Sequence, residues 1–262
     1  MPLTPEARSL AVFCDFENVA LGVREAKYAQ FDMQKVLERL LAKGSIVVKK
    51  AYCDWDRYKE FKAAMHSASF ELIEIPHVRQ SGKNSADIRM VVDALDLCYT
   101  KSHVDTFVIV SGDSDFSPLV SKLRENAKTV IGVGVKNSSS DLLIANCDEF
   151  IYYDDLVRQD EQKRSATKKR RAAAPAGTGE DKKQEALDLM LGTLEALIAE
   201  RGAEEKIWGS MVKQALKRRN PGFNESYYGY RAFSDLLEEA EKKNLIKLEP
   251  DEKSGGYVIR PA

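Results

Sequence analysis

The chain has 262 residues and a mass of 29.4 kDa, is 44% hydrophobic and 31% charged, and carries a net charge of −1. This composition supplies a buried core, excludes a wholly disordered chain, and suits two domains at about 100–200 residues each. No apolar run approaches the ~18 residues of a membrane span, and the first residues lack a basic-then-apolar leader pattern, so a cytoplasmic protein without membrane contact is expected.

The first 155 residues alternate strand-like and helix-like patterns. Leu10–Cys14 reads as a short buried strand, Met33–Leu41 as a helix, Ile46–Tyr52 as a strand, Arg57–Ser67 as a helix and Phe70–Ile75 as a strand. Ala86–Tyr99 is the strongest helical pattern, with Ile88, Val91, Val92 and Leu95 recurring at helical spacing. Thr106–Val110 is the cleanest buried strand. Beyond it come Pro118–Asn126 (helix), Thr129–Val135 (strand), Ser139–Asn146 (helix) and Glu149–Tyr153 (strand). Alternation at this spacing predicts βαβ units and an α/β fold: a mostly parallel sheet covered by helices on both faces. Ligands in such sheets bind beyond the carboxyl ends of the strands.

Residues 161–180 carry six Lys or Arg against two Asp or Glu, lack apolar periodicity and run into Pro, Gly and Thr. They read as a flexible basic linker. The expected organisation is a first domain over 1–158, a linker over 159–182 and a second domain over 183–262. The second domain reads as helices over Ala186–Ile198, Ile207–Leu216 and Phe233–Glu241. Short strands over Leu245–Leu248 and Tyr257–Ile259 flank a turn at Lys253-Ser254-Gly255-Gly256. Three helices and a terminal hairpin describe a small winged-helix domain.

Cys14, Cys53, Cys98 and Cys147 form no CxxC pair, and His66, His77 and His103 are not spaced with them as zinc ligands. The cysteines read as reduced packing residues. Zinc chemistry and Cys-His or Ser-His-Asp catalysis are therefore disfavoured, and carboxylates are left to hold any metal. Asp15 directly follows the first buried strand, and Asp113 and Asp115 directly follow Thr106–Val110. If the two strands are neighbours, three carboxylates meet at their ends and need a cation; oxygen-only ligands favour Mg²⁺ or Mn²⁺. Asp87, at the start of the strongest helix, is the natural fourth acid. Asn18 follows Asp15 closely enough to orient a ligand or a water, and Lys83 can meet a phosphate. The plainer reading is that the aspartates cap helices, Asp115 that of Phe116–Leu123. Asp93 lies about 240° around the helix from Asp87 and is expected to be solvent-facing or structural.

The motifs DFEN (Asp15–Asn18), KNSAD (Lys83–Asp87) and SGDSDFSPLV (Ser111–Val120) resemble the NYN domain family in its LabA/DUF88-like branch, over about residues 8–153. The resemblance implies a PIN-like fold and metal-dependent ribonuclease chemistry, with Asp15, Asp87, Asp113 and Asp115 in the acidic site and Asn18 beside them. One departure is Asn-Ser-Ala before Asp87, where the family often has Lys-Gly-Val. Trp208, LKRRNPGFN (Leu216–Asn224) and SYYGYRAFSDLLE (Ser226–Glu238) resemble an OST-HTH, or LOTUS, domain over about 183–260, which implies RNA binding or a protein partner. Lys213, Lys217, Arg218 and Arg219 put four positive charges at one helix end, with Tyr227, Tyr228 and Tyr230 nearby to stack on bases.

The expected function is a metal-dependent endoribonuclease acting on RNA recruited by the C-terminal module. The alternative is a catalytically silent RNA-binding or adaptor protein that keeps the fold. A phosphotransferase of the haloacid-dehalogenase type would need Asp-x-Asp after the first strand, where this chain has Asp15-Phe16-Glu17. A DNA-reading repressor would leave the acidic cluster unexplained.

Overall fold

The computed structural model describes residues 8–28, 30–75, 85–158, 160, 180–202, 205–251 and 256–261. The chain divides into two compact units, Met1–Leu40 with Ser45–Ser165, and Leu41–Gly44 with Ala166–Ala262.

The first unit is built on β1 (Arg8–Asp15), β2 (Gly44–Cys53), β3 (Glu71–Glu74), β4 (Thr106–Val110), β5 (Thr129–Gly134) and β6 (Glu149–Tyr152). They form one six-stranded sheet in the order β3-β2-β1-β4-β5-β6. The pairs β2–β3, β1–β4, β4–β5 and β5–β6 all run parallel. The helices are α1 (Phe16–Glu25), α2 (Met33–Lys43), α3 (Lys59–Ser67), α4 (Ser85–Thr100), α5 (Ser117–Glu125) and α6 (Asp141–Asn146). The pleat sends Leu10, Val12 and Cys14 of β1 into a core with α1, α2 and α3, and Ala11 and Phe13 into another with α4 and α5. Both faces are covered, as the unbroken apolar strands require.

This strand order fixes where a ligand can sit. The chain builds outward from β1 to β3, then crosses back through α4 to lay β4 against the other side of β1. Consecutive loops therefore diverge above β1 and β4, leaving a crevice at their carboxyl ends. In the register Leu10↔Thr106 to Cys14↔Val110, Asp15 and Ser111 leave the sheet at the same level.

Helix α1 is an addition to the expected elements. Asp15 is its N-cap, and its side chain accepts from the Asn18 backbone N–H. Phe16, Val19 and Val23 recur at helical spacing and are buried. Phe16 anchors the start of the helix among Trp55 and Phe61, each with ring centroids at 5.1 Å, and Tyr58 at 5.8 Å. Each such pair adds about 0.5–1.5 kcal/mol beyond simple burial, so the first turn of α1 is firmly seated.

The second unit contains α7 (Glu180–Arg201), β7 (Ile207–Trp208), α8 (Gly209–Arg219), a 3-10 turn (Glu225–Tyr228), α9 (Phe233–Lys242), β8 (Ile246–Asp251) and β9 (Gly256–Pro261). Helix α7 begins at Glu180, inside the stretch expected to be linker. Ile207 and Trp208, expected to open a helix, instead pair antiparallel with Ile259 and Val258, making a three-stranded sheet in the order β7-β9-β8. The hairpin turn expected at 253–256 lies outside the described residues except for Gly256. Leu187, Met190, Leu194, Val212, Leu216, Leu236 and Leu237 form this unit's own core. No helix among the described residues is long and apolar enough to cross a membrane.

Candidate active site

Asp15 ends β1 and Asp113 and Asp115 follow β4, so these three acids lie at the crevice between the two strands, and Asp87 is in the first turn of α4. Asp15, the last residue of β1, is only 7% exposed. Its Oδ2 accepts from Ser111 Oγ at 3.0 Å and its Oδ1 from the Asn18 N–H at 3.3 Å. Ser111 Oγ in turn accepts from the Asp113 N–H at 3.1 Å, and Asp113 Oδ1 accepts from the Asp115 N–H at 2.9 Å. Asn18 Oδ1 accepts from the Gly112 N–H at 2.9 Å, tying α1 to the loop after β4. Gly112 is required there: a Cβ would lie 2.4 Å from the Ser138 carbonyl oxygen of the loop after β5. Asp15 therefore caps α1 and Asp113 caps the 3-10 turn at Ser114–Phe116, and capping proves compatible with a shared site. Asp115 does not cap α5, whose N-cap is Phe116.

The carboxylates lie within reach of one another's charge. Burial first, and then the Asp87 carboxylate, push the Asp15 pKa up to about 7; Ser111 and Asn18 pull it back, and Asp113 pushes it up again. Asp87 is pushed up to about 6 by burial, then by Asp113, Asp115 and Glu17. No described lysine or arginine forms an ion pair with Asp15, Asp87, Asp113 or Asp115. Among the described residues, no three His, Cys, Asp or Glu side chains stand close enough, as placed, to enclose one ion.

Two residues join the site that the sequence reading left out. Ser111 links Asp15 to the Asp113 backbone, and its place directly after the buried strand was the available signal. Glu17 reaches the field of Asp87 and pairs with Arg57 at 3.4 Å. Lys83 lies outside the described residues. Asp93 is structural. It accepts from Tyr52 Oη at 2.9 Å, Arg89 Nε at 3.0 Å and Lys50 Nζ at 3.2 Å. Burial opposes its ionisation, but these partners outweigh burial and hold its pKa below the ordinary value. Cys14, Cys53 and Cys98 are buried and Cys147 half-buried, all free, and burial pushes every thiol pKa up, so none is an activated nucleophile.

The second unit's candidates are partly consumed by its own fold. Lys213 pairs with Glu225 at 2.9 Å, and Arg219 Nη1 donates to the Gly192 carbonyl at 3.0 Å. Arg218 is half-buried, and of these four only Lys217 is exposed. Tyr230, 5% exposed, belongs to the core, which corrects its expected stacking role. Tyr228 is half-buried and stacks on Phe223. Tyr227 is 61% exposed, with Lys182 Nζ 4.5 Å from its ring centroid, a neighbour the sequence reading missed.

Comparison with protein families matches residues 9–154 to the NYN domain. An uncharacterized protein of Methanocaldococcus jannaschii is 28% identical over 143 residues, covering 55% of this chain and 56% of that protein. Meiosis regulator and mRNA stability factor 1 of Xenopus tropicalis is 26% identical over 148 residues, 56% of this chain and 9% of that protein. The chain therefore matches about half the length of one relative and under a tenth of the other. A crystal structure of a protein of unknown function from Vibrio parahaemolyticus superposes with a TM-score of 0.52 at 28% identity, covering 58% of this chain and 97% of that one. The six-stranded parallel sheet with helices on both faces is the PIN-like architecture of nuclease-like, RNA-related domains. With its matched span covering more than half its length, the chain belongs to the NYN domain family.

Proposed function

We propose that this protein is a metal-dependent endoribonuclease whose C-terminal unit is an OST-HTH/LOTUS-type module that recruits RNA. The observation that carries the first part is a set of carboxylates at the β1/β4 crevice that raise one another's pKa, with no ion-paired cation among the described residues to balance them. An all-oxygen donor set suits Mg²⁺ or Mn²⁺. Asp15, Asp87, Asp113 and Asp115 would hold the ion, which supplies Lewis acidity toward phosphate and a more acidic water. The remaining work belongs to the chain. Ser111 orients the Asp15 carboxylate and locks it to the backbone of Asp113. Asn18 pins the loop after β4 through Gly112, so the acids on the two strands keep one spacing. No side-chain nucleophile is required, in keeping with four thiols whose pKa values are raised. The name of the Xenopus relative, an mRNA stability factor, supports RNA as the substrate class. The exposed Tyr227 with Lys182, and the exposed Lys217, are the groups offered to RNA by the second unit. A protein partner is the other occupant of that module, and the cytoplasm is the proposed location.

A catalytically silent RNA-binding or adaptor protein is the second reading. It is favoured by the spacing of the acids, no three of which, among the described residues, stand close enough to enclose an ion as placed. The deciding experiment compares wild type with Asp113→Asn on structured and single-stranded RNA, with EDTA, Mg²⁺ and Mn²⁺. Metal-dependent cleavage that disappears in the variant supports the nuclease. Cleavage equal in the two proteins defeats it.

A further inference from the structure

Helix α4 is apolar on two sides. Met90, Ala94 and Cys98 enter the core of the first unit. Ile88, Val92 and Tyr99 instead stand 62%, 55% and 64% exposed. They are three of the six large hydrophobic side chains exposed among the described residues, so this is a patch rather than scattered apolar surface. With Ser85 and the half-buried Leu95 they recur at 85, 88, 92, 95 and 99, the alternating steps of three and four that mark a helix-pairing seam. We infer that the chain forms a two-fold dimer through this stripe, with α4 of a second copy packed antiparallel against it.

Apolar exposure alone would suit any partner; charge and shape select a second copy. Arg89 and Asp96 lie on one edge of the stripe, about two helical turns apart. An antiparallel two-fold sets like edges side by side. With its axis between Val92 and Asp93, Arg89 of each copy comes level with Asp96 of the other, and the pair forms twice. Asp96 is exposed and makes no ion pair among the described residues. Arg89 has a side chain 56% exposed and holds Asp93 at 3.0 Å, but Tyr52 and Lys50 hold Asp93 as well. A parallel pairing would set Arg89 and Asp96 against the opposite edge, where Val91 and Cys98 offer no charge, so the orientation is specified too. In shape, Ser85, Ile88, Arg89 and Val92 line a shallow depression that continues past Asp93 to Asp96. Their spacing of i, i+3, i+4 and i+7 is that of the four residues around a hole that admits one side chain of a facing helix. The same axis brings Tyr99 of the second copy level with Ala86, over that hole. Asn126 Nδ2 donates to Tyr99 Oη at 3.3 Å and steadies the ring. Asp87 lies about 140° around α4 from Val92, so pairing leaves the acidic crevice open. A contact made by one 16-residue helix is smaller than the ~1,600 Å² of a standard interface, so the dimer is weak, with an expected Kd of about 10–100 µM.

Sedimentation equilibrium of the full chain, in reducing buffer and over about 1–500 µM to bracket that Kd, is the test. The apparent mass is expected to climb from 29.4 kDa toward twice that value. Val92→Asp sets a carboxylate against its own two-fold mate and should hold the chain at monomer mass throughout. Its melting temperature should stay within about 2 °C of wild type, because the side chain is exposed. Arg89→Asp and Asp96→Arg each place like charges opposite one another and should weaken association about tenfold. An equimolar mixture of these two variants should recover wild-type association, because the acids of one then face the bases of the other. Recovery on mixing requires two copies paired antiparallel through this edge, and no other occupant of the stripe produces it. The inference is overturned if wild type stays at monomer mass over the whole series, if Val92→Asp associates like wild type, or if the mixture associates no better than either variant alone. None of these measurements involves RNA or metal, so the nuclease reading stands or falls separately, on Asp113.

Discussion

The strand-end crevice of the first unit and the basic, aromatic end of the second were marked by the same kind of signal, a short cluster of chemistry-bearing residues. They fared differently on folding. At the crevice, a parallel sheet fixes the ends of β1 and β4 at one level and so brings Asp15 near Asp113 and Asp115, while Asp87, in the first turn of α4, comes within their field. At the end of α8, the fold takes Lys213 for Glu225, Arg219 for a carbonyl and Tyr230 for the core. A strand end inherits its position from a hydrogen-bonded ladder. A helix end offers long side chains to whatever lies nearby, and proximity in sequence does not decide where they go.

The sharpest way to break the comparison is Asp113→Asn. Asn can still accept from the Asp115 N–H, so the local turn survives and only charge is lost. Metal-dependent cleavage should fall by about 10²–10⁴, while RNA affinity through Tyr227 and Lys217 stays at wild-type level. Equal loss of both, measured by gel cleavage and filter binding, would make the two regions one. Next in size is Phe16→Ala. It empties the ring cluster under the first turn of α1 and should cost about 3–5 kcal/mol. Trp55 is one of two tryptophans and packs on Phe16, so Trp55 fluorescence in a Trp208→Phe background reports urea unfolding of the first unit. An unchanged midpoint would mean that the cluster does not seat Asp15.

These effects also separate what the sequence discloses from what it hides. The sheet was legible because Leu10–Cys14 and Thr106–Val110 are unbroken apolar runs, which only a strand buried on both faces tolerates. The acids at their ends were legible for the same reason. Helix α1 was not read, although Phe16, Val19 and Val23 have the right spacing, because Asp15-Phe16-Glu17-Asn18 draws attention as a chemical motif rather than a cap and first turn. Strand β7 is two residues long and exists only through Ile259 and Val258, some fifty positions away, which no local pattern reveals. Tyr227 and Tyr230 are indistinguishable in a Tyr-Tyr-Gly-Tyr string; Gly229, at φ 84°, turns the chain between them so that one faces solvent and the other the core.

A smaller effect tests the electrostatics of the crevice directly. Asp15 and Asp87 have folded-state pKa values of about 7 and about 6, above the ordinary 3.8. The folded state therefore holds protons that the unfolded chain has released. Their contribution to stability is complete below about pH 4 and is lost as pH rises through 6 and 7. Metal-free protein should lose melting temperature across that window, and millimolar Mn²⁺ at pH 7.5 should restore it. Asp15→Asn should flatten the decline. A wild-type profile as flat as that of the variant would show that Asp15 is not crowded by its neighbours.

The smallest effect sharpens the second region. Lys217 is exposed at the end of α8, where Lys213 and Arg219 already have partners. If Lys217 meets one phosphate, Lys217→Gln should reduce the salt slope of RNA binding by about 0.7, the release of one counterion from a single strand. Tyr227→Ala should weaken binding by about 1–3 kcal/mol without altering that slope, because stacking releases no counterion. Tyr227→Phe keeps the ring and should bind nearly as wild type. Tyr230→Phe should be silent in binding, since the ring is buried and its hydroxyl offers nothing to RNA. Slope and intercept of affinity against salt thus assign each residue its own role. If Lys217→Gln leaves the slope unchanged and Tyr227→Ala leaves the affinity unchanged, the second unit docks protein rather than RNA. The contrast would then lie between a nuclease site and a protein-docking surface.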